Sequence, residues 1–135
     1  MKTVKETELR IGNLVSQNGY PGLVYSIESA LPRREERFND KVVITLYDSG
    51  LATVTLDQVS PVTITDDLLT RFGFQGEYNS MINIMTFILP GTPFSFVQGK
   101  FVMQTGTGDF CVYLKFAHQL QNLYFALVGE ELTLN

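Results

Sequence analysis

The chain has no tryptophan, one cysteine and one histidine among 135 residues. A single cysteine, Cys111, excludes an internal disulfide and fits a reducing compartment. Set in Phe110-Cys111-Val112-Tyr113-Leu114, it reads as a buried structural thiol, because a free Cys packs as a small hydrophobe. One histidine without a cysteine cluster leaves a transition metal short of its preferred ligands, so no metal site is expected. Long apolar runs are missing as well. The longest candidate, Met81 to Leu89, is interrupted by Asn83 and Thr86 and stops at Pro90-Gly91, well short of the ~20 residues that span a bilayer. Met1 to Glu8 has no apolar core region and does not read as a secretory signal. Basic charge is scarce: Lys and Arg number 10 against 14 Asp and Glu, a net charge of −4. That balance gives no general attraction to phosphate backbones. The expectation is a cytoplasmic protein without cofactor or membrane contact.

What is present is apolar and aromatic. Hydrophobic residues make up 44% of the chain, enough to build a core, and ten Phe with six Tyr favour sheets. The first half alternates β-rich runs with turn signals. Leu9 to Val15 begins a strand, Asn18-Gly19 and Pro21-Gly22 mark turns, and Leu23 to Ile27 is β-rich. A polar break at 32–40 precedes strands over Lys41 to Tyr47 and Leu51 to Leu56, parted by Asp48-Ser49-Gly50. Asp57-Gln58-Val59 reads as one short helical turn, and Ser60 to Ile64 closes the set. Five short strands with a short turn before the last match an SH3-like small β-barrel over 8–64.

Residues 65–135 read as a second lobe of the same single compact domain, 1–135. Thr65 caps a short helix whose apolar side is Leu68, Leu69 and Phe72 and whose stop is Gly73. An antiparallel meander follows: Ser80 to Leu89, Phe94 to Val97, Lys100 to Thr105, the Gly106 to Asp109 hairpin loop, and Phe110 to Phe116. The fold class is therefore α+β: barrel, short helix, meander and C-terminal helix.

That last helix, Phe116 to Gly129, contains no Asp, Glu, Lys or Arg. Leu120, Leu123, Tyr124, Leu127 and Val128 form one apolar stripe, expected to pack on the sheet of the second half. His118, Gln121, Asn122 and Phe125 fall on the other side. A helix face of amides and an aromatic, without charge, suits a contact with a partner, since charges are depleted and aromatics enriched at such centres. The competing expectation is that the barrel half or the tail covers Phe125.

Two segments carry a family resemblance. Glu8-Leu9-Arg10-Ile11-Gly12-Asn13-Leu14-Val15 and His118-Gln119-Leu120-Gln121-Asn122-Leu123-Tyr124-Phe125-Ala126-Leu127, with Gly129-Glu130-Glu131-Leu132, resemble an uncharacterised family of small proteins from Bacteroidetes and their phages or mobile elements. Phe72-Gly73-Phe74 is similar as well, although the Trp that precedes it in that family is missing here. The resemblance covers about a third of the chain and implies kinship, with no activity attached to it.

Catalytic signals are thin. His118 reads as a helix-start residue in the absence of a nucleophile motif, with an enzyme using it as general base the alternative. Gly106-Thr107-Gly108 lacks the rest of a phosphate loop. Asp66-Asp67, Glu35-Glu36 and Glu130-Glu131 are adjacent acids, and adjacency does not make two carboxyls converge on a cleft. Arg33-Arg34-Glu35-Glu36-Arg37 is the one basic cluster. Through Arg33, Arg34 and Arg37, with Phe38 or Tyr47 nearby, it supports an alternative nucleic-acid-binding reading, disfavoured by the acidic whole. The favoured expectation is a non-enzymatic interaction or assembly protein. It would act on an unknown protein partner or on itself as a homodimer.

Overall fold

In the computed structural model, residues 9–17, 20–29, 42–47, 51–55 and 58–134 are described. The fold is α+β, with two antiparallel sheets and two helices among the described residues. The chain divides into two compact units. One joins Met1–Val62 with Phe116–Glu131, and the other joins Thr63–Lys115 with Leu132–Asn135.

In the first unit, strands β1 (Leu14–Gln17), β2 (Tyr20–Ser29), β3 (Val42–Tyr47), β4 (Leu51–Thr55) and β5 (Ser60–Pro61) form one sheet in the order β4-β3-β2-β1-β5. Among the described residues no β4–β5 pairing closes this sheet into a barrel. The long β2 carries a register shift between Val24 and Ser26. Such a bulge bends and twists the strand. Residues 9–13 are not strand, as expected from their β-rich composition, but a turn. Asn13 N–H donates to the Arg10 carbonyl at 3.1 Å, and Gly12 sits at φ 95°. That left-handed position is one that glycine adopts at no steric cost. Pro21-Gly22, expected as a turn, lies inside β2, where Pro21 pairs with Ser16. The β3 pairing begins only at Leu23 opposite Tyr47, so Pro21 lies past its end and its missing N–H breaks no bond to β3.

The second unit opens with α1 (Asp66–Arg71). Thr65 caps it by accepting from Leu68 N–H at 3.2 Å, and Leu68, Leu69 and Phe72 are buried. Strands β6 (Gln75–Asn79), β7 (Ile84–Ile88), β8 (Phe94–Val97), β9 (Lys100–Thr105) and β10 (Gly108–Tyr113) form a simple meander in the order β10-β9-β8-β7-β6. Paired residues share a face. Phe87, Phe96 and Phe101 are consecutive cross-strand partners and all are buried. Phe94 joins them, its ring centroid 5.3 Å from that of Phe101. The expected strand from Ser80 to Leu89 is instead the tip and second arm of a hairpin. Its first arm, β6, holds no β-branched residue and carries Gly76. Propensity therefore hid it, and pairing with β7 made it a strand.

Helix α2 (Ala117–Val128) belongs with the first unit, not with the meander expected to receive it. Its buried residues are Ala117, His118, Leu120 and Gln121, rather than the full stripe from Leu120 to Val128. Leu127 remains 41% exposed. Gly129, at φ 80°, ends the helix by donating its N–H to the Phe125 carbonyl at 2.8 Å. Among the described residues no helix is long and apolar enough to cross a membrane.

This burial pattern separates two leucines that periodicity treats alike. Leu120→Ala should lower unfolding free energy by about 2–5 kcal/mol, the usual loss for emptying a packed site. Leu127→Ala should cost about 1 kcal/mol at most. Urea unfolding of the two variants checks the difference.

Candidate functional site

The densest polar arrangement in the described structure joins α2 to the turn that leads into β1. It begins with a backbone need. Leu14 starts β1 with its side chain buried, and its N–H finds the Gln121 Oε1 at 2.8 Å. The same amide donates through Nε2 to the Gly12 carbonyl at 3.1 Å. One buried glutamine thus serves a donor and an acceptor of the turn, as a neighbouring strand would. The Leu14 N–H is buried and must be paired, because water cannot reach it, whereas the bond to the Gly12 carbonyl is part-buried.

The turn itself is braced from within. Asn13 Oδ1 accepts from Arg10 N–H at 2.6 Å, Gly12 N–H donates to the Val24 carbonyl at 2.7 Å, and Val24 N–H donates to the Asn13 carbonyl at 2.8 Å. Asn13 then reaches the helix, where its Nδ2 donates to Asn122 Oδ1 at 2.9 Å. Arg10 Nε donates to the same oxygen at 2.8 Å, and its outer nitrogens meet the Gln121 carbonyl at 3.2 Å and Glu131 Oε1 at 2.7 Å. The guanidinium carbon lies 4.3 Å from the centroid of the Phe125 ring. Arg10 therefore clamps the helix by hydrogen bonds, a partly exposed ion pair and a cation–π contact. The ion pair itself contributes little, since solvent screens it; the planar, bidentate fit gives the geometry.

The structure turns two of the four expected contact residues inward. His118 and Gln121 are buried, and Asn122 is held by Arg10 and Asn13. Phe125 keeps 39% exposure beneath Arg10. The ring of His118 stacks near that of Phe116 at a centroid distance of 6.0 Å, and the side chain is buried. Arg33, Arg34, Arg37 and Phe38 lie outside the described residues, and Tyr47 ends β3. No group of His, Cys, Asp and Glu gathers in metal-binding geometry among the described residues.

Two surfaces that sequence reasoning missed are apolar and open. One is the β6–β7 hairpin tip, where Met81 is 94% exposed and Ile82 60%, with Tyr78 and Met85 exposed beside them. The tip is ordered by polar side chains. Asn79 Oδ1 accepts from Met81 N–H at 3.0 Å, and the Tyr78 hydroxyl donates to Asn83 Oδ1. Asn83 takes the left-handed conformation, at φ 56°, that closes the loop. The other surface is the outer edge of β10. It presents Phe110, Tyr113 and Cys111, and the thiol is exposed rather than buried as its apolar neighbours suggested.

The Gln121 bonds set a measurable expectation. Gln121→Leu preserves bulk but leaves Leu14 N–H and the Gly12 carbonyl without the amide. It should destabilise the fold by about 1–3 kcal/mol for each buried group so orphaned. Chemical denaturation monitored by circular dichroism checks this. Comparison with family models, with characterised proteins and with solved structures finds no match for this chain.

Proposed function

We propose that this protein acts by binding another protein, without chemistry of its own, and that the β6–β7 hairpin is the contact. One observation carries the reading. Met81 stands almost wholly in solvent and Ile82 is more than half exposed, at a tip whose loop is held by Asn79, Tyr78 and Asn83. Exposed apolar side chains grouped on an ordered element mark interaction sites, because the ordering cost is met before binding. Glu77 is the only charge between Gln75 and Ile88, so little must be desolvated at the contact. The helix residues proposed from the sequence contribute less, since only the outer part of Phe125 remains available.

The reading includes an SH3-like character for the first unit. Five strands, a short turn at Gln58 before the last, and pairing of β5 with β1 support it. Cytoplasmic residence and an origin in a phage or mobile element belong to the same proposal. The lone cysteine supports the first, and the two resembling segments support the second.

The test compares capture by the wild-type chain with capture by a Met81→Asp/Ile82→Asp double variant from extracts of the native host. The expected outcome is a partner retained by the wild type and reduced at least about tenfold with the double variant, at an unchanged unfolding midpoint. Equal retention of that partner by both would overturn the assignment of the hairpin.

A further inference from the structure

We infer that the free edge of β10 pairs antiparallel with the same edge of a second copy of this chain, about a two-fold axis at Cys111. This goes beyond the proposed hairpin contact and stands apart from it, because it uses the opposite edge of the sheet.

The inference starts from which backbone groups face outward. Leu114 N–H donates to the Gly99 carbonyl at 3.0 Å, continuing the β9 pairing in which Tyr113 faces Lys100. Backbone groups alternate sides along a strand. Asp109, Cys111 and Tyr113 therefore send their N–H and C=O away from β9. The next residue of that parity, Lys115, confirms the direction: its carbonyl is already occupied by Ile64 N–H at 2.9 Å. The free part of the edge thus ends at Tyr113. No strand pairs with its outer side among the described residues.

This stretch has few of the devices that keep edges apart, and its one charge, Asp109, stands near its end rather than at its centre. Its register with β9 is regular from Gly108 to Tyr113, without bulge, proline or lysine. Natural edges left this open are covered or they associate. The opposite edge, β6, carries Glu77 at its centre.

The occupant follows from the limits of the edge and from charge. A symmetric antiparallel pair confined to Asp109–Tyr113 has its axis at Cys111. It places Asp109 opposite Tyr113 of the second copy and Phe110 opposite Val112 of the second copy. A register centred one residue later would require the Lys115 carbonyl, which Ile64 holds. In the allowed register Asp109 faces a tyrosine whose ring carries Lys100. That ammonium lies 5.7 Å from the ring centroid, so its charge sits over the edge strand. The symmetry brings each Asp109 toward the Lys100 of the other copy, twice over, while Tyr113, at 75% exposure, loses solvent on its open side. Opposite charges brought together across an interface fix register and favour this pairing over others.

Sedimentation equilibrium on the full chain tests the inference. Wild type is expected to dimerise at micromolar concentrations. Cys111→Pro removes an outward N–H without touching the β9 ladder and should leave a monomer. Asp109→Lys should weaken the dimer at least about tenfold, and adding Lys100→Asp should restore it. Should Cys111→Pro fail to fold, the charge-reversal pair decides. A monomeric wild type, or a dimer indifferent to Asp109→Lys, would overturn edge pairing. The Met81→Asp/Ile82→Asp variant should remain dimeric; a dimer lost there and kept in Asp109→Lys would assign association to the hairpin instead. Partner capture by the hairpin is a separate readout, so either proposal can fail alone.

Discussion

A single buried amide ties the first unit together. The turn at Arg10–Asn13 brings the chain into β1 with a donor at Leu14 and an acceptor at Gly12, and Gln121 meets both. Without that amide, burying the start of β1 under α2 would cost two unpaired backbone groups. With it, a segment distant in sequence becomes the neighbour that the strand lacks. Asn122, one position on, repeats the device for Asn13 and Arg10. The charge-free character of α2 follows from this. Its amides point at backbone and at a guanidinium, where neutral donors and acceptors suit a buried setting better than charges do.

Gly12 is the backbone condition for the clasp. At φ 95° it turns the chain so that its carbonyl reaches Gln121 while its N–H bonds the Val24 carbonyl. The carboxyl of Glu131 lies 3.7 Å from where a Cβ at this position would stand. That is an ordinary van der Waals distance, so the left-handed conformation, not packing, restricts the site. The clasp takes up most of the polar groups that drew functional readings from the sequence, including Gln121, Asn122 and the guanidinium of Arg10. Exposed apolar side chains gather instead at the hairpin tip and along the β10 edge.

Local signals that rest on one residue's own chemistry were legible. Thr65 as a cap, Gly73 as a stop and Gly129 at the end of the last helix all appear where the sequence placed them. Their energetics are short-range, so their neighbours suffice. Three readings that needed a partner strand or a burial direction failed. β6 has the composition of a loop and becomes a strand because β7 offers its ladder. Cys111 has the neighbours of a core strand and is exposed because β10 is an edge. Leu127 keeps the period of the buried stripe, but burial on the helix is concentrated in its first half.

The sequence by itself determined the α+β class, the preference of its aromatics for sheets, the Thr65 cap and the net negative charge. These depend on composition, period and local conformational preference. Tertiary structure decided which face of α2 is inside. Periodicity ranked faces by hydrophobicity and chose the leucine stripe, whereas the fold buried Gln121 and His118 beside Leu120. The physical reason is that a buried polar side chain is stabilised only by a specific partner at hydrogen-bond distance. That partner, the turn at Gly12, lies more than a hundred positions away in the chain.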